Sequence, residues 1–189
     1  MTNLVFVRHS QTQPNPDIPS RLWGLTAEGR RRCVALARQL IPYNLDVIVT
    51  SEEAKAMETG ELVAQKLGVP WRAMANFHEH QRETVPYFGS HEEFLGAVSR
   101  LFSRPNELVF GDETAHQAGE RFVGAVKSVL AIYPQENIAI VTHGTVLSLF
   151  VGQLTEVDVF SFWRSLGMPA FVAFRYPAME LLALVNEIR

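Results

Sequence analysis

Three short apolar runs constrain what this chain can become: Leu4-Val5-Phe6-Val7, Val47-Ile48-Val49 and Ile138-Ala139-Ile140-Val141. They are rich in β-branched and aromatic residues, they lack polar alternation, and each is followed by a helix-like segment. Strands hydrophobic on both faces are buried on both faces, which requires helices on either side of a mainly parallel sheet. Between them the helical signals are clear. Thr26 precedes a helix to about Leu40, with Gly29, Cys33, Leu36, Ala37 and Leu40 on one face and Pro42 as its stop. Ser51 is expected to cap a second helix, with Glu52 and Glu53 in its first turn, ending at Gly68. A short edge strand is expected near Trp71, an irregular stretch over 76–90, and helices over 91–102, 113–133, from Gly144, and over 155–165. Phe171–Tyr176 and Leu181–Val185 close the chain as strands. The fold class that follows is α/β: a three-layer α/β/α sandwich with a mainly parallel central sheet, in one domain over 1–189.

Composition excludes several classes. With 189 residues, 47% hydrophobic and 20% charged, the chain is of globular type, and its net charge of −3 speaks against a nucleic-acid binder. Its one cysteine, Cys33, allows no internal disulfide and falls on the buried helix face. The apolar runs are too short to span a bilayer, and the first residues enter a strand rather than a secretory leader, so the expectation is a cytoplasmic protein with no membrane partner.

The chemistry concentrates where two of these strands end. The first ends in Arg8-His9-Ser10 and the third in Thr142-His143-Gly144. Ligands of open α/β sheets bind at the carboxyl ends of the strands, so two histidines at equivalent positions, one next to an arginine and one at a helix start, mark a candidate site. The second strand adds Lys55, one turn into its helix, whose stem can reach back toward the strand ends.

These residues lie in motifs that resemble the histidine phosphatase superfamily, also called the phosphoglycerate mutase-like family. Arg8-His9-Ser10-Gln11-Thr12-Gln13-Pro14-Asn15 follows its Arg-His-Gly frame, and Leu25-Thr26-Ala27-Glu28-Gly29 its Leu-Thr-x-x-Gly helix start. Phe77-His78-Glu79 is similar to the segment bearing its acid, Gly111-Asp112-Glu113-Thr114 with Arg121 to its Gly-Glu-Ser element, and Val141-Thr142-His143-Gly144 to its second histidine motif. The resemblance covers nearly the whole chain and implies a phosphoglycerate mutase-like fold and a metal-independent phosphomonoester hydrolase with no cofactor. It implies His9 as the nucleophile that becomes a phosphohistidine. Arg8 is then the planar fork for phosphoryl oxygens, His143 the group that binds the transferring phosphoryl, and Glu79 the acid and then base. Ser10, Asn15, Lys55 and the Gly144 helix start complete the expected phosphate contacts, the Ser10 hydroxyl and the free amides after His143 as donors. Asn15 either orders its loop or touches phosphate.

Two departures matter. Ser10 replaces the glycine after the histidine, and Lys55 stands where the family has a second arginine, keeping the charge but losing the bidentate geometry. Glu83 is an alternative to Glu79 as the acid. His78 and His80 fall short of a metal-ligand set. Trp71, Tyr87, Phe88 and Trp163 are candidates for the pocket mouth, and Arg21 and Arg82 for a substrate carboxylate or second phosphate. The segment 76–112 is expected to cover the site. The partner expected is a small phosphorylated metabolite. The alternatives are phosphoglycerate mutase-type phosphoryl transfer, a phosphoprotein phosphatase, and a catalytically weak phosphate-binding regulatory module. A homodimer could form through Phe171–Tyr176, read as an edge, or through the terminal strand.

Overall fold

A computed structural model describes residues 1–85 and 88–189. The apolar runs form β1 (Thr2–Arg8), β2 (Val47–Thr50) and β4 (Ile138–Thr142), joined by the short β3 (Trp71–Ala73) and by β5 (Ala170–Tyr176) and β6 (Glu180–Val185). The sheet order is β3-β2-β4-β1-β5-β6. β1 to β4 pair in parallel, β5 runs antiparallel to β1, and β6 antiparallel to β5. The mainly parallel sheet is as expected. The expected dimer edge at Phe171–Tyr176 is not one: β5 lies inside the sheet, paired on one side with β1 and on the other with β6.

Side chains alternate across the strands and build two cores. On one face Val5, Val7, Ile48, Ala139 and Val141 pack under α1 (Ala27–Leu40) and α2 (Ala54–Leu67). On the other face Leu4, Phe6, Val49, Ile138 and Ile140 pack under α4 (Ala115–Ile132) and α5 (Gly144–Leu154), with Phe162 of α6 (Val159–Ser165). α3 (His91–Ser103) lies against α6. Phe6 sits at the centre of the second core, its ring centroid 4.6 Å from that of Phe150 and 6.1 Å from that of Phe122, which in turn meets Phe77 at 5.4 Å.

Local chemistry sets the helix starts. The Thr26 hydroxyl accepts the Gly29 amide at 2.8 Å, and Thr114 and Gln117 form a reciprocal capping box. Two starts differ from expectation. α6 begins at Val159 rather than near 155, because the Asp158 carboxylate accepts the Ser161 amide at 2.8 Å and caps it there. Ser51 does not cap α2: the N-cap position belongs to Glu53, whose side chain makes no capping bond. Gly68 ends α2 in the left-handed conformation, as read from sequence.

The aromatic chain makes Phe122 the most telling core position. Phe122→Ala should destabilise the fold by roughly 3–5 kcal/mol, read as a lower urea midpoint with unchanged m-value.

Candidate active site

The parallel register explains why two histidines 134 positions apart in sequence meet. Arg8 pairs with Thr142 across β1 and β4, so the residues that follow leave the sheet side by side, and the His9 amide donates to the Thr142 carbonyl at 2.9 Å. The ring centroids of His9 and His143 are 5.2 Å apart. β2 ends on the same edge, where the Ser51 amide donates to Val141 O at 2.9 Å. Arg8, His9, Lys55, Glu79 and His143 all converge here, and all but Arg8 and Glu79 are less than a tenth exposed.

His9 is held in one tautomer. Its Nδ1–H donates to the carbonyl of Ser10 at 2.8 Å, which leaves the lone pair on Nε2. Burial, with His143, Lys55 and Arg8 nearby, holds the ring well below the usual histidine range, against a smaller opposing effect of the Ser10 carbonyl. The group is a neutral imidazole, as a nucleophile must be. His143 is also depressed, by burial first and then by Lys55, with Glu79 pulling the other way. Its Nε2 lies 2.9 Å from Ser51 Oγ and 3.5 Å from Glu53 Oε1. Among the described residues, Arg8 Nε and His143 Nδ1 are buried without a partner in the chain. Arg8 runs beneath the start of α5 and its Nη1 donates to Leu166 O. A Cβ on Gly144 would lie 3.2 Å from both the Arg8 guanidinium and Trp163 Nε1, so a larger residue there would crowd the arginine.

Glu79 reaches the cluster from the segment before α3. Its carboxylate accepts the Thr145 amide at 3.1 Å, the Val146 amide at 3.3 Å and the His80 amide at 2.9 Å. Two of the amides expected to be free after His143, those of Thr145 and Val146, are therefore already taken by the Glu79 carboxylate. Burial pushes the Glu79 carboxyl up, but His143, Arg82 and these amides outweigh it and hold it below the usual carboxylate range. His143 acts so only when protonated; with a neutral ring, Arg82 and the amides do the holding. Glu83, the alternative acid, lies instead at the rim, largely exposed, paired with Arg21 at 2.9 Å.

The segment carrying Glu79 is tied down from behind. The Arg121 guanidinium donates to the carbonyls of Asn76 at 2.9 Å, His78 at 3.0 Å and Glu79 at 3.3 Å, and is paired with Glu113. Glu113 Oε1 also accepts the Gln81 amide at 3.0 Å. Gly111 makes this approach feasible: its φ of +87° suits glycine, and a Cβ there would fall 2.3 Å from Gln81 O. Phe77 is fully buried, and its carbonyl accepts the Thr142 hydroxyl at 2.9 Å, so the residue two before Glu79 is bound to β4 itself.

Other expected contacts fall elsewhere. The Ser10 hydroxyl donates to Gly29 O at 2.7 Å and its amide to Thr59 Oγ1 at 3.0 Å, so Ser10 holds the loop and has no donor left for phosphate. Asn15 orders its loop: its side-chain oxygen accepts the Asp17 amide at 3.0 Å and its carbonyl accepts Trp23 Nε1–H at 2.8 Å. The Lys55 ammonium is buried and donates to Ser20 O at 2.7 Å and to Glu53 Oε2. A cleft of about 920 Å³ opens above, between the 16–23 loop, the start of α2 and residues of 78–85 and 88–94. Phe88 and Arg82 line it. Trp71 does not, being on β3 at the sheet edge, and Trp163 is buried against Phe160 and Phe94. Tyr87 lies outside the described residues. Among the described residues no group of three or more His, Cys, Asp or Glu could hold a metal ion, and no helix is long and apolar enough to cross a membrane.

Sequence reading missed three members of the site: Ser51, Thr59 and above all Glu53. Each is polar and buried near a strand end, and the Glu53–Lys55 pair left no spacing signal, since residues two apart do not face each other on a helix; Glu53 reaches Lys55 from the extended N-cap position.

A sheet with paired histidines at its carboxyl edge, an arginine before the first and a carboxylate at the second, defines the phosphoglycerate mutase-like class of histidine phosphatases. The chain belongs to the Histidine phosphatase superfamily (branch 1), whose description matches residues 4–173. It is 26% identical over 166 residues to the uncharacterized phosphatase PhoE of Bacillus subtilis, covering 84% of this chain and 80% of that one. It is 26% identical over 170 residues to the metal-independent phosphoserine phosphatase of Arabidopsis thaliana, covering 84% and 71%. Among solved structures, the phosphoserine phosphatase of Entamoeba histolytica in complex with 3-phosphoglyceric acid superposes with a TM-score of 0.76 over 99% of this chain and 98% of that one, at 19% identity.

The depressed histidines have a measurable consequence. An unfolded histidine takes up a proton below pH about 6.5, whereas native His9 and His143 do not. The sign is therefore that stability is full above that pH and falls as pH drops below it, by up to about 1.4 kcal/mol per pH unit for each ring. Glu53 and Glu79, also depressed, lose their contribution only at more acid pH, below the unfolded carboxyl range. Urea midpoints should be level from pH 8 to 7 and decline between pH 6.5 and 5, less steeply in His143→Gln.

Proposed function

We propose that this chain hydrolyses a small phosphomonoester in two displacements through a phosphohistidine on His9, in the cytoplasm and without a metal. The observation that carries this reading is the locked, neutral His9 ring, with Nε2 unprotonated beside Arg8 and His143.

In the first displacement the Nε2 lone pair of His9 forms the N–P bond as the ester P–O bond breaks, and Glu79 gives its proton to the departing oxygen. In the second, water loses a proton to Glu79 and forms the new O–P bond, the N–P bond breaks, and orthophosphate leaves. Arg8 is the donor for phosphoryl oxygens, with Nε unpartnered in the chain. His143 supplies a ring nitrogen and stabilises charge that builds on the phosphoryl group. Glu79 rests ionised, yet the first displacement needs its proton. An arriving phosphate dianion beside the carboxylate raises its proton affinity, so substrate binding itself prepares the acid. The rest of a small metabolite would occupy the cleft, as the substrates named for the Arabidopsis and Entamoeba relatives are themselves small phosphorylated compounds.

Phosphate release from an aryl phosphate in the presence of EDTA should persist in the wild type and vanish in His9→Ala; turnover surviving in the variant would exclude the phosphohistidine. An acid-labile phosphoryl group trapped on the wild type alone would complete the case. Glu79→Gln should slow esters of poor leaving groups by roughly 100- to 10,000-fold and activated aryl esters far less; equal loss on both would assign Glu79 a structural role.

A further inference from the structure

Glu53 has no place in the scheme above, yet it stands in the middle of the cluster. The residue is 9% exposed. Oε2 is bonded to the Lys55 ammonium, and Oε1 accepts the Glu79 amide at 2.7 Å and lies 3.5 Å from His143 Nε2. Burial raises its proton affinity, but the Lys55 ammonium and the Glu79 amide outweigh this, so the group is an anion. The cleft wall includes Glu53 and Glu79 but not Arg8, His9, Lys55 or His143.

A buried anion bonded to the Lys55 ammonium, with its other oxygen 3.5 Å from His143 Nε2, stands where a phosphoryl group would have to be seated. Other acidic neighbours cannot take its role: Glu79 is bound to the start of α5, and Glu58 is engaged with Arg30 and the Leu25 amide. Lysine is also less suited than arginine to serve two anions at once, having no planar fork to divide between them.

We propose that Glu53 is an internal competitor for the phosphoryl group, a substrate-binding determinant whose carboxylate must leave Lys55 and the edge of His143 before a phosphate can be seated on them. This rests on the phosphatase reading for its substrate but on the geometry of Lys55, Glu53 and His143 for its mechanism. Binding becomes an exchange of anions. Its consequence is a weak hold on orthophosphate, so that product leaves readily and affinity for a substrate derives from the part of it lodged in the cleft.

The test compares the wild type with Glu53→Gln, which keeps the side-chain shape and the acceptor for the Glu79 amide but removes the charge. Orthophosphate binding, measured by calorimetry, should tighten by roughly tenfold or more in the variant. With an aryl phosphate, KM and the inhibition constant of orthophosphate should fall together while kcat changes less. Equal or weaker orthophosphate binding in Glu53→Gln would overturn the proposal, as would no orthophosphate binding by either protein. A second measurement covers a variant that fails to fold. In the wild type labelled at glutamate side-chain carboxyls, orthophosphate should shift the Glu53 carboxyl resonance as it is displaced; a resonance that stays put at saturating orthophosphate makes Glu53 a structural partner of Lys55 alone. The absence of ester hydrolysis in the wild type would count against the phosphatase reading, and the two orthophosphate experiments would still decide the role of Glu53.

Discussion

Buried charge at the carboxyl edge of the sheet governs the rest of this structure. Arg8, Lys55, Glu53 and Glu79 are ionisable groups withdrawn from water, and each is costly unless paired or hydrogen-bonded. The chain meets this cost locally. Lys55 is held by Glu53 and Ser20 O, Arg8 by Leu166 O, and Glu79 by amides at the start of α5. His9 and His143 contribute by remaining neutral. The result is a compact cluster in which removing one charge changes the protonation of its neighbours, and that is the property a two-displacement phosphoryl transfer draws on.

The same constraint accounts for the long-range ties behind the site. Glu79 cannot keep its contacts with Thr145 and Val146 unless residues 76–81 hold their path. Arg121 and Glu113, both on or beside α4, bind that path by its backbone carbonyls and one amide, while Phe77 roots it in the aromatic core around Phe6 and Phe122. Core packing and placement of the carboxylate are thus one problem. Thr59 performs the equivalent service for His9, its hydroxyl accepting the Ser10 amide while donating to Lys55 O.

The difference between Glu79 and Glu83 illustrates how position rather than residue type decides chemistry. They are four residues apart on one irregular stretch, and both are glutamates. One is half-buried at a helix start beside His143, and the other is paired with Arg21 in solvent, where an ion pair contributes little. Serine at position 10 shows the converse: a hydroxyl beside the nucleophile is spent on Gly29 O because the helix carrying Gly29 packs directly against its loop.

The sequence by itself determined the sheet, its flanking helices and the two histidines at the strand ends, because apolar runs of strand length, helical periodicity and residues directly after a strand are local features. Arg8, His9 and His143 were legible for that reason, and Glu79 through a motif. Tertiary structure alone decided what each polar group faces. Ser51 looked like a helix cap and instead meets His143; two of the amides expected to be free after His143 are bound to Glu79; Asn15 holds its own loop; and Glu53, read as a first-turn glutamate, turns inward onto Lys55. Periodicity and spacing say which side of an element is buried. The partner of a buried charge is set by which segments the fold brings within about 3 Å of it, and apart from near neighbours such as Glu53 beside Lys55 those segments here come from positions tens of residues away along the chain.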